Sequence, residues 1–127
     1  MNLQGHGDSA FVGQGAAFEA LSLCKLPNYD IGGTVHFITN NQVGFTTSGA
    51  HSRSYPYASC LAKPFDVPIV HINTQDVNSL LKVCKFTIRY WKKYQKDILL
   101  DMIGFRKYGH NEVDEPSFTN PIMYEQI

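Results

Sequence analysis

The chain has no surplus of charge of either sign. Eleven basic side chains face eleven acidic ones over 127 residues, so no basic stripe is available to neutralise phosphates, and an electrostatic nucleic-acid binder is excluded. The one local run of cations, Lys92-Lys93 with Lys96, reads as the solvated face of a helix. Cysteine is scarce as well. Cys24, Cys60 and Cys84 stand singly, without a CxxC pair or the dense even pattern of a secreted disulfide scaffold, and a reducing compartment fits. No apolar run approaches the roughly 20 residues of a membrane span, and the leading Met1-Asn2-Leu3-Gln4-Gly5-His6 lacks the charged and apolar regions of a signal peptide. The expectation is a soluble chain with no membrane span. Neither an acidic cluster nor a glycine loop ending in Lys-Ser or Lys-Thr occurs, which argues against a magnesium-dependent phosphatase or nucleotide-binding domain.

What the chain does have is 43% hydrophobic residues, enough for one modest domain with a core. Helical spacing of Ala16, Ala17, Ala20, Leu21 and Leu23 or Cys24 predicts a helix from Gly13 to about Lys25, stopped by Pro27-Asn28. Gly32-Gly33 then punctuates a strand over Thr34–Thr39, which ends at the polar cluster Asn40-Asn41-Gln42. A long polar loop from Thr46 to Tyr57 precedes a short helix near Ala58 to Ala62 and a buried strand over Val67–Ile72. Asp76 is placed to cap a helix running from Val77 to about Tyr94, whose apolar stripe Val77, Leu80, Leu81, Cys84, Ile88 and Trp91 is expected to face the core. A strand over Asp97–Ile103 follows, then a polar segment from Arg106 to Thr119 and a closing turn of helix near Met123. Alternating strands and helices predict an α/β fold: a parallel sheet with flanking helices and ligands beyond the carboxyl ends of the strands. Three loops, at Asp8, at Asn40 to Gly44 and at Arg106 to His110, should then share one rim.

Gly7-Asp8-Ser9-Ala10 stands 33 residues ahead of Asn41, which puts a carboxylate and an amide oxygen on neighbouring strand ends. Both are hard oxygen donors. With the backbone carbonyl of Val43 they would supply three of the roughly six oxygens that Mg2+ wants, leaving room for a diphosphate and water. The amides of Ser9 and Ala10 could donate to that diphosphate. The same pairs have a plain alternative, because Asp, Asn and Gly populate turns everywhere. His36 and His71 lie inside strands and read as packed or half-exposed residues without a functional role, whereas His6 and His110 sit beside glycines at loop positions and are open to either reading. Cys60 lacks a sequence partner for nucleophilic chemistry and reads as a small packed residue.

The blocks His6-Gly7-Asp8-Ser9-Ala10-Phe11, Gly13-Gln14-Gly15, Gly33-Thr34-Val35-His36, Asn40-Asn41-Gln42-Val43-Gly44-Phe45-Thr46-Thr47, Gly109-His110-Asn111-Glu112-Val113-Asp114-Glu115-Pro116 and Asn120-Pro121-Ile122-Met123-Tyr124 resemble, in order and spacing, the 2-oxoglutarate dehydrogenase family. The resemblance runs from His6 to Ile127. It implies a partial thiamine diphosphate domain spanning residues 1–127, in which Asp8, Asn41 and the Val43 carbonyl hold Mg2+ and Ser9 and Ala10 lie along the diphosphate. Arg106 and His110 match the loop that approaches the cofactor phosphates and the reaction centre. His110 is the candidate catalytic residue, since an imidazole can change charge near neutral pH and move a proton. The cofactor's carbanion would add to the keto carbon of a 2-oxo acid, and the thiazolium would take up the electrons as CO2 leaves.

The resemblance further implies oxidative decarboxylation of 2-oxoglutarate in the tricarboxylic acid cycle, with the succinyl group passed to lipoyl on a succinyltransferase component. It also implies a homodimer, located in the mitochondrial matrix or, in a bacterium, in the cytoplasm. A fragment of the related 2-oxoadipate dehydrogenase is one alternative, and a non-catalytic interaction domain that keeps the fold is another. Three departures stand out. Ser9 occupies a position where thiamine enzymes generally carry glycine, Ser59-Cys60 replaces a stretch containing aspartate, and the lead into Asp8 is short and polar where the family has a hydrophobic strand. The strand that should carry Asp8 is therefore expected to be missing or badly formed. The chain is much shorter than the family, so it is expected to be an inactive fragment with exposed strand edges and a tendency to aggregate.

Overall fold

The computed structural model describes residues 1–127. Six strands form, β1 (Asn2–Gly7), β2 (Thr34–Asn40), β3 (Val43–Gly44), β4 (Thr47–Ser48), β5 (Ile69–Asn73) and β6 (Ile98–Ile103). The helices are α1 (Asp8–Gly13), α2 (Ala16–Leu23), α3 (Gly49–Ser52), α4 (Val77–Tyr94) and α5 (Pro121–Glu125), with 3-10 helices at Ala58–Phe65 and Pro116–Phe118. Strands β1, β2, β6 and β5 lie in that order in one sheet, every neighbouring pair parallel. The α/β expectation is met, and β3 and β4 form a separate antiparallel hairpin.

Side chains alternate across the sheet, and each face buries its own set. Val35, Ile98 and Leu100 lie on the face covered by α4, packed against Val83 and Tyr90. Ile38 and Leu99 point the other way, into Phe11, Ala17 and Leu21 of α1 and α2 and Ala58 and Ala62 of the 3-10 helix. The result is three layers, with helices on both faces of a sheet whose centre is strongly apolar, as a parallel sheet requires.

β5 is not the buried strand expected, since it lies at the edge of the sheet with only Ile72 of its residues buried. The structure departs from the sequence expectations at four further places. The lead strand into Asp8 is well formed: β1 pairs with β2 residue by residue from Asn2 opposite Thr34 to Gly7 opposite Thr39. Backbone pairing carries it in place of an apolar side-chain pattern, and Gly5 leaves room for the Phe37 ring, which would lie 2.8 Å from a Cβ at that position. The helix expected from Gly13 begins only at Ala16, because Gly15 takes φ 76° and separates it from α1, a preceding helix over Asp8–Gly13 that the apolar spacing does not indicate. The polar loop after Thr46 is largely structured, as the end of the hairpin followed by α3.

The fourth departure is the facing of α4. Val77, Leu81 and Ile88 are exposed, and Cys84 is exposed with them. The buried face instead uses Val83, Thr87 and Tyr90. At 100° per residue this is a rotation of about 100°, a little over a quarter of a turn, from the expected stripe. Hydrophobicity alone misses it because the inward face includes a threonine and a tyrosine. The indole N–H of Trp91 fixes the rotation by donating to the carbonyls of Gly32 at 2.7 Å and Gly33 at 3.2 Å. Asp76 caps the helix as expected, its carboxylate accepting from the Ser79 N–H at 3.0 Å.

Phe11, 1% exposed, ties the short α1 to the sheet. Replacing it with alanine removes one of the largest buried side chains and should cost about 3–5 kcal/mol. Urea unfolding should show a large fall in midpoint with Phe11→Ala, and a shift below 1 kcal/mol would contradict this packing.

Candidate functional site

The carboxyl ends of β1, β2 and β6 are adjacent and level, with Gly7 opposite Thr39 and Asn40 opposite Ile103. The chain leaves these ends as α1, as the turn Asn40–Gly44 and as the segment beginning at Gly104, so the three expected loops do share one rim. Asp8 is the first residue of α1 and only 3% exposed. Beside it, Ser9 packs on the β3–β4 hairpin so closely that a Cβ at Gly44 would sit 2.5 Å from the serine oxygen. A side chain at 44 would force the Ser9 hydroxyl to turn away. Val43 is buried, 3% exposed, and Asn41 is half-buried with its side-chain oxygen accepting from the Val43 N–H at 3.3 Å.

The rim holds polar atoms with no hydrogen-bond partner. Asp8 Oδ2, Ser9 Oγ and the Nε atoms of Arg53 and Arg106 are all buried and unpaired. Such atoms cost free energy unless a ligand, ion or water meets them. The Asp8 carboxyl is pushed above the ordinary carboxylate range, chiefly by burial; the Ser9 N–H and the Arg53 guanidinium partly offset this, and Asp101 adds to it. Arg53 Nη1 lies 3.9 Å from Asp8 Oδ2, and both side chains are more than nine-tenths buried. A carboxylate held against its own desolvation, with one oxygen free, fits a cation better than it fits a purely structural role. The donors at this rim are carboxylate, amide and carbonyl oxygens, and no group of three His, Cys, Asp or Glu in the chain is arranged to hold a metal ion. Oxygen donors suit Mg2+ and would hold zinc poorly.

Arg106 and His110 are brought together. Arg106 Nη1 lies 3.0 Å from His110 Nδ1; because a guanidinium only donates, Nδ1 accepts and the imidazole proton sits on Nε2. The surrounding loop is stapled by Asn111, whose backbone and side-chain nitrogens both donate to Asp114, and by the Tyr124 hydroxyl donating to the Arg106 carbonyl at 2.7 Å. Gly109 allows the loop to fold back, since a Cβ there would collide with the Asp114 carbonyl. The exposed His110 ring stands edge-on to Phe45 of the hairpin turn, centroids 5.4 Å apart. Ser9 therefore meets the hairpin at Gly44 and His110 meets it at Phe45, while no hydrogen bond or ion pair joins Arg106 or His110 to Asp8. Ala10 is half-buried on α1.

Two residues of this region escape a motif reading. Arg53 stands alone between two serines in what looks like a plain polar loop. Asp101 is the one charged residue inside the apolar strand Ile98–Ile103, and that isolation was the available signal. His36, 2% exposed, is packed as expected and lies between His6 and Asp97, with Nδ1 3.4 Å from His6 and Nε2 3.1 Å from Asp97. His71 is half-exposed, its side chain 39% accessible, and it reaches Asp101.

Comparison with known proteins shows the family to which the chain belongs. The family model described as dehydrogenase E1 component matches residues 1–127. The chain is 51% identical over 122 residues to the 2-oxoglutarate dehydrogenase E1 component of Bacillus subtilis, covering 96% of this chain and 13% of that protein. It is 48% identical over 122 residues to the mitochondrial 2-oxoglutarate dehydrogenase of Saccharomyces cerevisiae, covering 96% of this chain and 12% of that protein. It is 46% identical over 127 residues to that of Dictyostelium discoideum, covering 100% of this chain and 12% of the relative. The chain thus spans about an eighth of the length of these curated relatives. A match over every residue, with near-half identity to relatives from bacteria, yeast and an amoeba, makes the chain a member of the dehydrogenase E1 component family, similar to its 2-oxoglutarate dehydrogenases.

Proposed function

We propose that this chain is the magnesium- and diphosphate-holding part of a thiamine diphosphate domain, residues 1–127, in a 2-oxoglutarate dehydrogenase. The observation that carries the proposal is the buried, unpaired oxygen of Asp8 beside the Ser9–Gly44 approach. Asp8, Asn41 and the Val43 carbonyl would hold Mg2+, with Ser9 and Ala10 along the diphosphate and Arg106 toward its phosphates. When bound, thiamine diphosphate supplies the carbanion that attacks the keto carbon and the electron sink as CO2 leaves. The side chains of this segment supply charge and position. Asp8 brings a negative charge to the cation. Arg106 holds His110 through Nδ1, which leaves the Nε2–H of His110 free to donate to an anionic oxygen, and this is the catalytic role assigned to it.

The whole protein would then decarboxylate 2-oxoglutarate oxidatively and hand the succinyl group to lipoyl on a succinyltransferase component, as part of the tricarboxylic acid cycle. It would work as a homodimer, in the mitochondrial matrix in a eukaryote or in the cytoplasm in a bacterium. The printed names of the relatives favour 2-oxoglutarate over 2-oxoadipate as substrate.

Calorimetric titration with thiamine diphosphate, with and without Mg2+, tests the reading. Binding should require the metal, and Asp8→Ala should weaken it by about 3 kcal/mol, on the order of 100-fold. Equal binding by the variant would remove Asp8 from the site. Burial should also leave a pH signature in the metal-free protein. The folded-state pKa of Asp8 is raised above its unfolded value, so the folded form binds more protons across that window, and the Asp8 contribution to stability falls as pH rises through it. Urea midpoints measured against pH should show wild type gaining on Asp8→Asn as the pH is lowered through the raised pKa; a slope of the opposite sign would contradict the burial argument.

A further inference from the structure

Asp101 is fully buried at the centre of the sheet, 0% exposed, and donors from three other segments converge on it. Its Oδ1 accepts from Asn40 Nδ2 at 3.0 Å, its Oδ2 accepts from Ser59 Oγ at 2.8 Å, and His71 Nδ1 lies 3.2 Å from Oδ2. An unprotonated carboxylate only accepts, so it dictates which way the Asn40 amide faces. With Nδ2 turned to Asp101, the other end of the amide, Oδ1, is left to accept from the Gln42 N–H, which it does at 3.0 Å. Gln42 needs that hold, because it sits at φ 64°, a left-handed conformation that is strained for a residue with a side chain. Its side chain is tied down as well, Nε2 donating to the Gly104 carbonyl at 2.8 Å, and its own carbonyl accepts from Gly49 at 3.1 Å. The two residues that flank Gln42 are Asn41 and Val43.

We infer that Asp101 is a positioning residue for the metal-binding turn: through the Asn40 amide it locks the left-handed Gln42, and thereby fixes where Asn41 and Val43 present their oxygens. The inference rests on the function proposed above and adds a residue to it that lies outside every motif. It also accounts for a charged group in an otherwise apolar strand. A leucine there would pack more cheaply, but the Asn40 amide would then be free to flip and the turn would lose its reference point.

The test uses the longest form of the protein that the gene encodes, with two readouts. Without metal, hydrogen exchange at the Gln42 amide should quicken by on the order of tenfold or more in Asp101→Ala, and Asp101→Asn, which keeps an oxygen for Asn40, should restore most of the protection. With thiamine diphosphate present, the Mg2+ concentration needed for half-saturation should rise about 10–100-fold in Asp101→Ala. Asn40→Ala should do the same, and the double variant should be no worse than either single one, because both changes break a single chain of contacts. Unchanged Gln42 exchange, additive losses, or an Asp101→Asn variant as weak as Asp101→Ala would each overturn the inference. If Asp101→Ala does not fold, Asn40→Ala against wild type decides it by the same two readouts. Binding without any magnesium requirement in the unsubstituted protein would instead overturn the function proposed above, and the Gln42 exchange rate still decides separately whether Asp101 holds the turn.

Discussion

Parallel pairing with level strand ends is the constraint on which the rest of the molecule depends. Each parallel strand must return to the same starting side before it pairs again, so every carboxyl end opens at one edge and every connection crosses a face. Helices α1, α2 and α4 and the 3-10 helix Ala58–Phe65 are those crossings or parts of them. Because the register of β1 on β2 and of β2 on β6 brings Gly7, Asn40 and Ile103 to the same level, chain segments from Asp8, Asn41 and Gly104 onward meet with no further device. What the local sequence adds is clearance, at Gly44 for Ser9 and at Gly109 for Asp114.

The two faces of the sheet are unequal. The α4 face is built on Val35, Ile98 and Leu100. The opposite face carries an apolar cluster too, yet His36, Asn40 and Asp101 are buried along it, and each must be met by hydrogen bonds inside the protein. Such a face is costly to build from polar groups, and the cost increases toward the rim, where Asp8, Ser9, Arg53 and Arg106 still have unpaired atoms. Stability and binding capacity oppose each other along this gradient, which is the usual relation between a scaffold and a site preorganised for charge.

The sequence showed different features unequally well. The strands β2, β5 and β6, the cap at Asp76 and the convergence of three loops were all legible, because periodicity, turn residues and the rule for parallel sheets are local or topological. The facing of α4 was not, since Thr87 and Tyr90 look surface-like until the Trp91 anchor is seen. β1 was misread because its side chains alternate between exposed and half-buried, and its stability lies in backbone pairing with β2, which leaves no hydrophobic trace. The Asp8, Ser9 and Val43 region was legible from its motifs, whereas Arg53 and Asp101 act through partners far away in sequence. Asp101 meets Asn40 from 61 positions away, and no spacing rule reaches that far.

One consequence follows from the place of β1 at the margin of the sheet. Asp8 is delivered by a strand with a neighbour on one side only, so the order of that strand and the occupancy of its carboxyl end are linked equilibria. Anything that binds Asp8 must slow the fraying of β1, and any segment that pairs with its open side must tighten binding at the rim by the same factor. On the reading proposed above, a sheet margin, ordinarily a liability for association, would become a means by which a segment paired beside β1 sets the affinity at Asp8 without touching the ligand.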